Sequence, residues 1–197
     1  MTVLLEHPPE FKMGIRVLMR AARNKDNAVP RKTTMRVSYS INEFDDVVQN
    51  LLDDLRDGER IYGCVDARNF LNAQRAFEHE KTDADFSASS EYTLSFYKNL
   101  APRWTGALMS KAARKTRLLM FDVDSPDELV LQQRIAQIEK CFSNPATSPS
   151  PINAVIHTYK TKNGFHILTN PFNYSALPSP IQEELHTNAM MLWAYNG

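Results

Sequence analysis

Cysteine is nearly absent from this 197-residue chain: there are two, Cys64 and Cys141, each in an apolar context. They form no metal-ligand spacing, so a cysteine-based zinc motif is excluded and a reduced, cytosolic setting is expected. Excess charge of either sign is also missing. The 23 basic residues balance the 23 acidic ones, which argues against a protein that coats nucleic acid over its whole surface. No apolar run approaches the roughly 20 residues of a membrane span. The segment from Met1 to Pro9 lacks the basic-then-apolar layout of a secretory signal, so no membrane partner is expected. Internal repeats and low-complexity linkers are absent too, and only residues 143–151, rich in Pro and Ser, read as a clear loop. With 43% of its residues hydrophobic, the chain can bury a full core as one domain.

What is present begins with a short basic stretch at 14–22 and a polar one at 23–31. Phe44, Val47, Val48, Leu51, Leu52 and Leu55 then recur at helical spacing, with Gly58 as the stop. Residues 61–66 read as a strand leading through Ala67-Arg68-Asn69 into a helix carrying Phe70, Ala73, Ala76 and Phe77. Arg68, just past a strand end, is a candidate to reach a phosphate or sugar from a cleft rim, or else to form a surface salt bridge. Between Ala101 and Arg117 lie Arg103, Lys111, Arg114, Lys115 and Arg117 with no acid. This segment is either a path for a phosphate backbone or a solvated surface. Trp104 within it either stacks on a base or packs.

The most informative feature follows at once. Residues 117–124 read as a strand, buried on both faces from Leu118 to Phe121 and ending in Asp122-Val123-Asp124. Ser125, Pro126 and Glu128 then spell a helix start, with Ser125 as cap and Asp127 in the first turn. Two carboxylates two residues apart on an extended strand point the same way and repel unless a cation or a proton lies between them. Such hard oxygen donors suit Mg2+ or Mn2+ held together with substrate phosphates.

A second element lies about forty residues on. The alternation from Ile152 to Tyr159 and the run Phe165–Thr169 read as two strands joined by Lys160-Thr161-Lys162-Asn163-Gly164, a hairpin whose Asn-Gly pair tolerates positive φ. His166 follows on the returning strand. Lys160, Lys162, the Gly164 amide and His166 are therefore candidates for donating to phosphate oxygens.

A buried strand ending in Asp-x-Asp, then a helix, a strand and Asn163-Gly164-Phe165-His166, resembles the catalytic core of the archaeo-eukaryotic primase superfamily, the primase-polymerases. The segment from Lys162 to Asn173 is also similar to small phage proteins carrying a reduced core of that type. The resemblance covers roughly residues 58 to 195. It implies that Asp122 and Asp124 hold the catalytic Mg2+ or Mn2+, and that His166 contacts the phosphates of an incoming nucleoside triphosphate. It further implies single-stranded DNA or RNA as a partner, a replication or phage protein as another, and a cytoplasmic location, in the host if phage-encoded.

One departure bears on activity. The family's third acidic ligand has no evident counterpart after Asn170, where only Glu183 and Glu184 are acidic. Both fall early in a helix expected from Ser179, Pro180 and Gln182, with Ile181, Leu185, Ala189 and Leu192 on its apolar face. They read there as solvent-facing, and Asn188 stands where a carboxylate would approach the pair. The expected fold is a single α/β (α+β) domain with a central mixed or antiparallel sheet flanked by helices. Residues 1–57 form its N-terminal helical portion and 58–195 its core. Two functions remain open: a metal-dependent nucleotidyltransferase, or a non-catalytic nucleotide or nucleic-acid binding protein such as a phage accessory factor. A phosphatase of haloacid-dehalogenase type also uses hydrophobic-Asp-x-Asp, but Pro126 and the late position of the motif speak against it.

Overall fold

A computed structural model describes residues 2–22, 33–142 and 154–196. The polar stretch 23–31, the loop 143–151 and the start of the expected strand at Ile152 lie outside the described residues. The chain divides into two compact units, Met1–Lys115 with Met190–Gly197, and Thr116–Ala189.

The first unit contains β1 (Thr2–Leu4), β2 (Arg16–Ala22), β3 (Thr34–Ser38), α1 (Ile41–Leu52), β4 (Glu59–Cys64), α2 (Phe70–Asp85), α3 (Ser90–Lys98) and α4 (Leu100–Met109). The last strand of the chain, β9 (Met190–Asn196), joins it. Its sheet has the order β1-β9-β4-β2-β3, with every pairing antiparallel. Phe44, Val48 and Leu51 are buried along one face of α1, the spacing that the sequence predicts. Gly63 is dictated by close approach: a Cβ there would lie 2.4 Å from the Trp193 indole nitrogen.

The stretch before residue 57 thus supplies three strands besides α1, and the basic look of 14–22 has an internal explanation. Arg16 and Arg20 are both buried. The Arg16 guanidinium donates to the carbonyls of Met13, Glu10, Cys64 and Val65, and burial pulls its pKa below the ordinary value, partly opposed by Cys64 and Asp66. Arg20 pairs with Asp54 and lies 3.8 Å from Glu59. These arginines are structural cations within a sheet, not a ribbon facing solvent.

The second unit contains β5 (Leu119–Val123), α5 (Glu128–Phe142), β6 (Val155–Lys160), β7 (Phe165–Thr169), the short α6 (Ser179–Glu183) and β8 (Leu185–Thr187). Its sheet runs β6-β7-β5-β8, again wholly antiparallel. The class is therefore α+β, built on two antiparallel sheets. Leu119, Phe121 and Val123 alternate onto one face of β5 and pack with Ile167, Phe165 and the α5 residues Leu131, Ile138 and Phe142. Truncating a fully buried aromatic such as Phe121 costs about 3–5 kcal/mol. The intervening residues, Met120 and Asp122, point to the opposite face.

Two local expectations change. Helix α5 starts later than the Ser125-Pro126 signal implies. The Leu129 amide donates to Asp127 Oδ1 at 2.8 Å, so Asp127 is the capping residue, while Ser125 Oγ accepts from the Asp127 amide at 3.3 Å. Nor does a helix run from 179 to 192: α6 ends at Glu183, and the chain turns through Asn188, whose φ of 60° lies in the left-handed region. Met190 to Asn196 instead forms a strand between β1 and β4, where long-range pairing outweighs local helical spacing. Among the described residues no helix is long and apolar enough to cross a membrane.

Candidate functional site

The hairpin register builds the site. Lys160 pairs with Phe165 across the β6–β7 turn, which places Tyr159 opposite His166. On the other side of β7, His166 stands opposite Asp122 of β5. Three polar side chains therefore form a row across three adjacent strands, on the face away from the α5 core. The row is bonded throughout. His166 Nε2 lies 3.0 Å from Asp122 Oδ1, and Nδ1 lies 2.5 Å from the Tyr159 hydroxyl. His157, two residues before Tyr159 on the same face, stacks on its ring at 5.7 Å between centroids.

Burial grades along this row. Tyr159 and His166 are 8% and 9% exposed, whereas the Asp122 side chain is 39% exposed. At that open end a polar cleft of about 400 Å³ is lined by Asp122, Asp124 and Ser125, by Arg134 of α5, and by Glu183, Glu184 and His186. Glu184 accepts from Arg134 through both carboxylate oxygens, at 3.0 and 2.9 Å from Nε, and its carbonyl accepts from the Asp122 amide at 2.9 Å.

The predicted residues separate accordingly. Asp122 and His166 are in contact, and Asp124 shares the cleft with Asp122. Lys160 and Lys162 are exposed on the hairpin that abuts this end of β5, with Lys160 Nζ 5.8 Å from the Phe165 ring centre. Gly164 has a different reason from the one expected. Its φ is not positive, it is buried, and its amide donates to Thr161 Oγ1 at 3.2 Å. A Cβ there would sit 1.9 Å from the Val123 carbonyl oxygen and 2.9 Å from the Ser125 nitrogen. Glycine is thus required because the hairpin presses against the end of β5, and its amide is not presented to a phosphate. Both ring nitrogens of His166 are likewise engaged within the sheet.

Comparison of the chain with family models, curated proteins and solved structures returned no match. The site therefore rests on its own geometry.

Arg68 is not on a rim. It belongs to the first unit, is 2% exposed, and its backbone bridges Ile15 and Arg114. The basic segment 101–117 is similarly depleted as a phosphate path: Arg103 is paired with Glu80, and Arg114 Nε lies 2.5 Å from the buried Asp66. Trp104 packs between Phe70 and Phe77 and donates to the Tyr39 hydroxyl at 3.2 Å. Asn188 does not line the cleft; Glu183 and Glu184 do.

Sequence reasoning set those two glutamates aside as surface caps because it continued the helix past residue 184, where the chain instead enters β8 and pairs Leu185–Thr187 with β5. Tyr159 was findable in principle, since a hairpin pairing 160 with 165 must pair 159 with 166. The donor set also bears on a metal. Asp122 and Asp124 offer hard oxygens to one polar cleft, which fits Mg2+ or Mn2+. Among the described residues no three His, Cys, Asp or Glu side chains form a group able to hold an ion by themselves. An ion here would complete its shell with phosphate oxygens and water, the usual way Mg2+ is held beside a nucleotide.

Proposed function

We propose that the second unit is a divalent-metal-dependent nucleotide-binding module of primase-polymerase type, with nucleotidyl transfer as its reaction. The observation that carries this reading is the carboxylate of Asp122, fixed by His166 at the mouth of a polar cleft that Asp124 shares. Asp122 and Asp124 would hold Mg2+ or Mn2+, which when bound would supply the positive charge that offsets a triphosphate during nucleotidyl transfer. Lys160 and Lys162 on the adjoining hairpin supply cations to the outer phosphates. Single-stranded DNA or RNA is the natural template partner, a replication or phage protein a further one, and the cytoplasm, of a host if the protein is phage-encoded, the natural location.

The non-catalytic alternative has an observation of its own. Glu184 is already committed to Arg134 and Asp122 to His166, so the acids that could complete a two-ion site carry internal partners. A protein of this kind would retain nucleotide without extending a strand.

Isothermal titration of the full chain with a nucleoside triphosphate, with and without Mn2+, tests the reading. Binding should require the metal and should fall at least tenfold in Asp122→Asn. Metal-independent binding unchanged by that substitution would overturn it. Template-directed extension by wild type, lost in Asp122→Asn, would separate the catalytic reading from the binding-only one.

A further inference from the structure

We propose that Tyr159 and His166 are positioning residues that act through Asp122: a tyrosine–histidine–aspartate relay sets the tautomer of the imidazole and, through it, the orientation of the carboxylate. This rests on the reading of Asp122 as a metal ligand and deepens it. It also gives His166 a task other than the direct phosphate contact that the sequence resemblance implies.

The chemistry follows from the bonds. An ionised carboxylate only accepts, so the Nε2 of His166 that faces Asp122 at 3.0 Å must carry the hydrogen. In a neutral imidazole the other nitrogen is then an acceptor. The Tyr159 hydroxyl, 2.5 Å from Nδ1, supplies the donor that this tautomer requires. Every group thus points its hydrogen the same way along the row, from phenol to imidazole to carboxylate.

Geometry makes this arrangement rigid. The three residues are direct cross-strand partners on β6, β7 and β5, so backbone pairing fixes their spacing. The Tyr159 and His166 rings meet edge to face at 5.0 Å between centroids, and His157 stacks on the tyrosine ring. Because His166 is 9% exposed with both nitrogens engaged, an outside ligand could reach it only by breaking one of these bonds. Outer partners that hold a ligating carboxylate or imidazole in one orientation commonly change metal affinity by 10–100-fold when removed.

Long-range 1H–15N correlation of the imidazoles in the full chain, with His166 assigned by its loss in His166→Leu, reads the tautomer directly. Mn2+ titration in the presence of triphosphate reads the consequence. Wild type should show Nε2 protonated and Nδ1 bare. Tyr159→Phe keeps the ring but removes the donor, so the tautomer should become mixed and Mn2+ affinity should fall about three- to tenfold. In a His166→Leu background the same substitution should change affinity by less than twofold, since the relay is already cut. His166→Gln, whose amide can still donate to Asp122, should recover part of the affinity that His166→Leu loses.

An Nδ1-protonated wild type, or a Tyr159→Phe protein with unchanged tautomer, would overturn the relay. So would equal effects of Tyr159→Phe with and without His166. Loss of triphosphate affinity in His166→Leu with Mn2+ affinity intact would instead make His166 a direct phosphate ligand and also overturn the proposal. If wild type takes up no Mn2+, the metal reading fails; the relay then stands or falls on whether Tyr159→Phe alters the tautomer.

Discussion

The two units solve the same problem, a charged group held by internal partners, in opposite ways. In the first, Asp66 is fully buried against Arg114, and Arg16 spends its donors on four backbone carbonyls. The charges there are closed off by the fold. In the second, the row from Tyr159 through His166 ends on Asp122, whose carboxylate remains 39% exposed at a cleft containing Asp124, Glu183 and Glu184. A satisfied buried charge holds a structure together, whereas one supported from behind and open in front is prepared to meet a ligand. That contrast, rather than charge density along the chain, locates the candidate site.

The largest expected effect is on the closed network. Asp66→Ala leaves a buried guanidinium without its carboxylate and should cost about 3–5 kcal/mol in chemical denaturation. Asp122→Asn should shift stability by less than about 1 kcal/mol, as for a partly exposed polar substitution, while abolishing most Mn2+ binding. Reversal of the two outcomes would dissolve the contrast between the units. Next comes Gly164→Ala, where the added methyl meets the Val123 carbonyl. It should destabilise by about 1–3 kcal/mol and weaken Mn2+ binding by displacing the end of β5, and calorimetry with a parallel metal titration would register both.

Glu184→Gln sharpens the comparison at a smaller scale. Its carboxylate is tied to Arg134 and is 19% exposed, so the change should cost roughly 1 kcal/mol and alter Mn2+ affinity by less than threefold. A tenfold loss would make Glu184 a ligand.

The smallest effect lies on the exposed surface of the first unit. Hydrogen bonds from Lys81 and then Tyr97 hold the Asp85 carboxyl below its ordinary value of 3.8. Since the folded pKa is the depressed one, the contribution is present above that ordinary value and disappears as pH falls through the folded one. Asp85→Asn should therefore lower the thermal midpoint slightly at neutral pH, and the difference from wild type should vanish in strong acid.

Much of the second unit was legible because its signals are local. The apolar run ending at Asp122, the strand Phe165–Thr169 and the hairpin between Lys160 and Phe165 need only alternation and turn length to be read. The Asp122–His166 bond needs the register of β5 against β7, which nothing nearby in the chain specifies. The first unit was less legible for the same reason. Arg16 and Arg20 read only as part of a short basic stretch until β3 and β4 flank their strand, and Ala189 and Leu192 read as one helix face until Met190–Asn196 lies between β1 and β4. Gly164 shows the limit from another side: its place in a turn was readable, but the carbonyl that it makes room for belongs to a strand about forty residues earlier.

The most direct test of the central claim is a crystal of the full chain soaked with Mn2+ and a nucleoside triphosphate, with data collected for anomalous signal. A peak within about 2.5 Å of carboxylate oxygens of both Asp122 and Asp124, bridged to phosphate, is the predicted result. A nucleotide bound elsewhere, or no metal at these two carboxylates at millimolar concentration, would contradict the account.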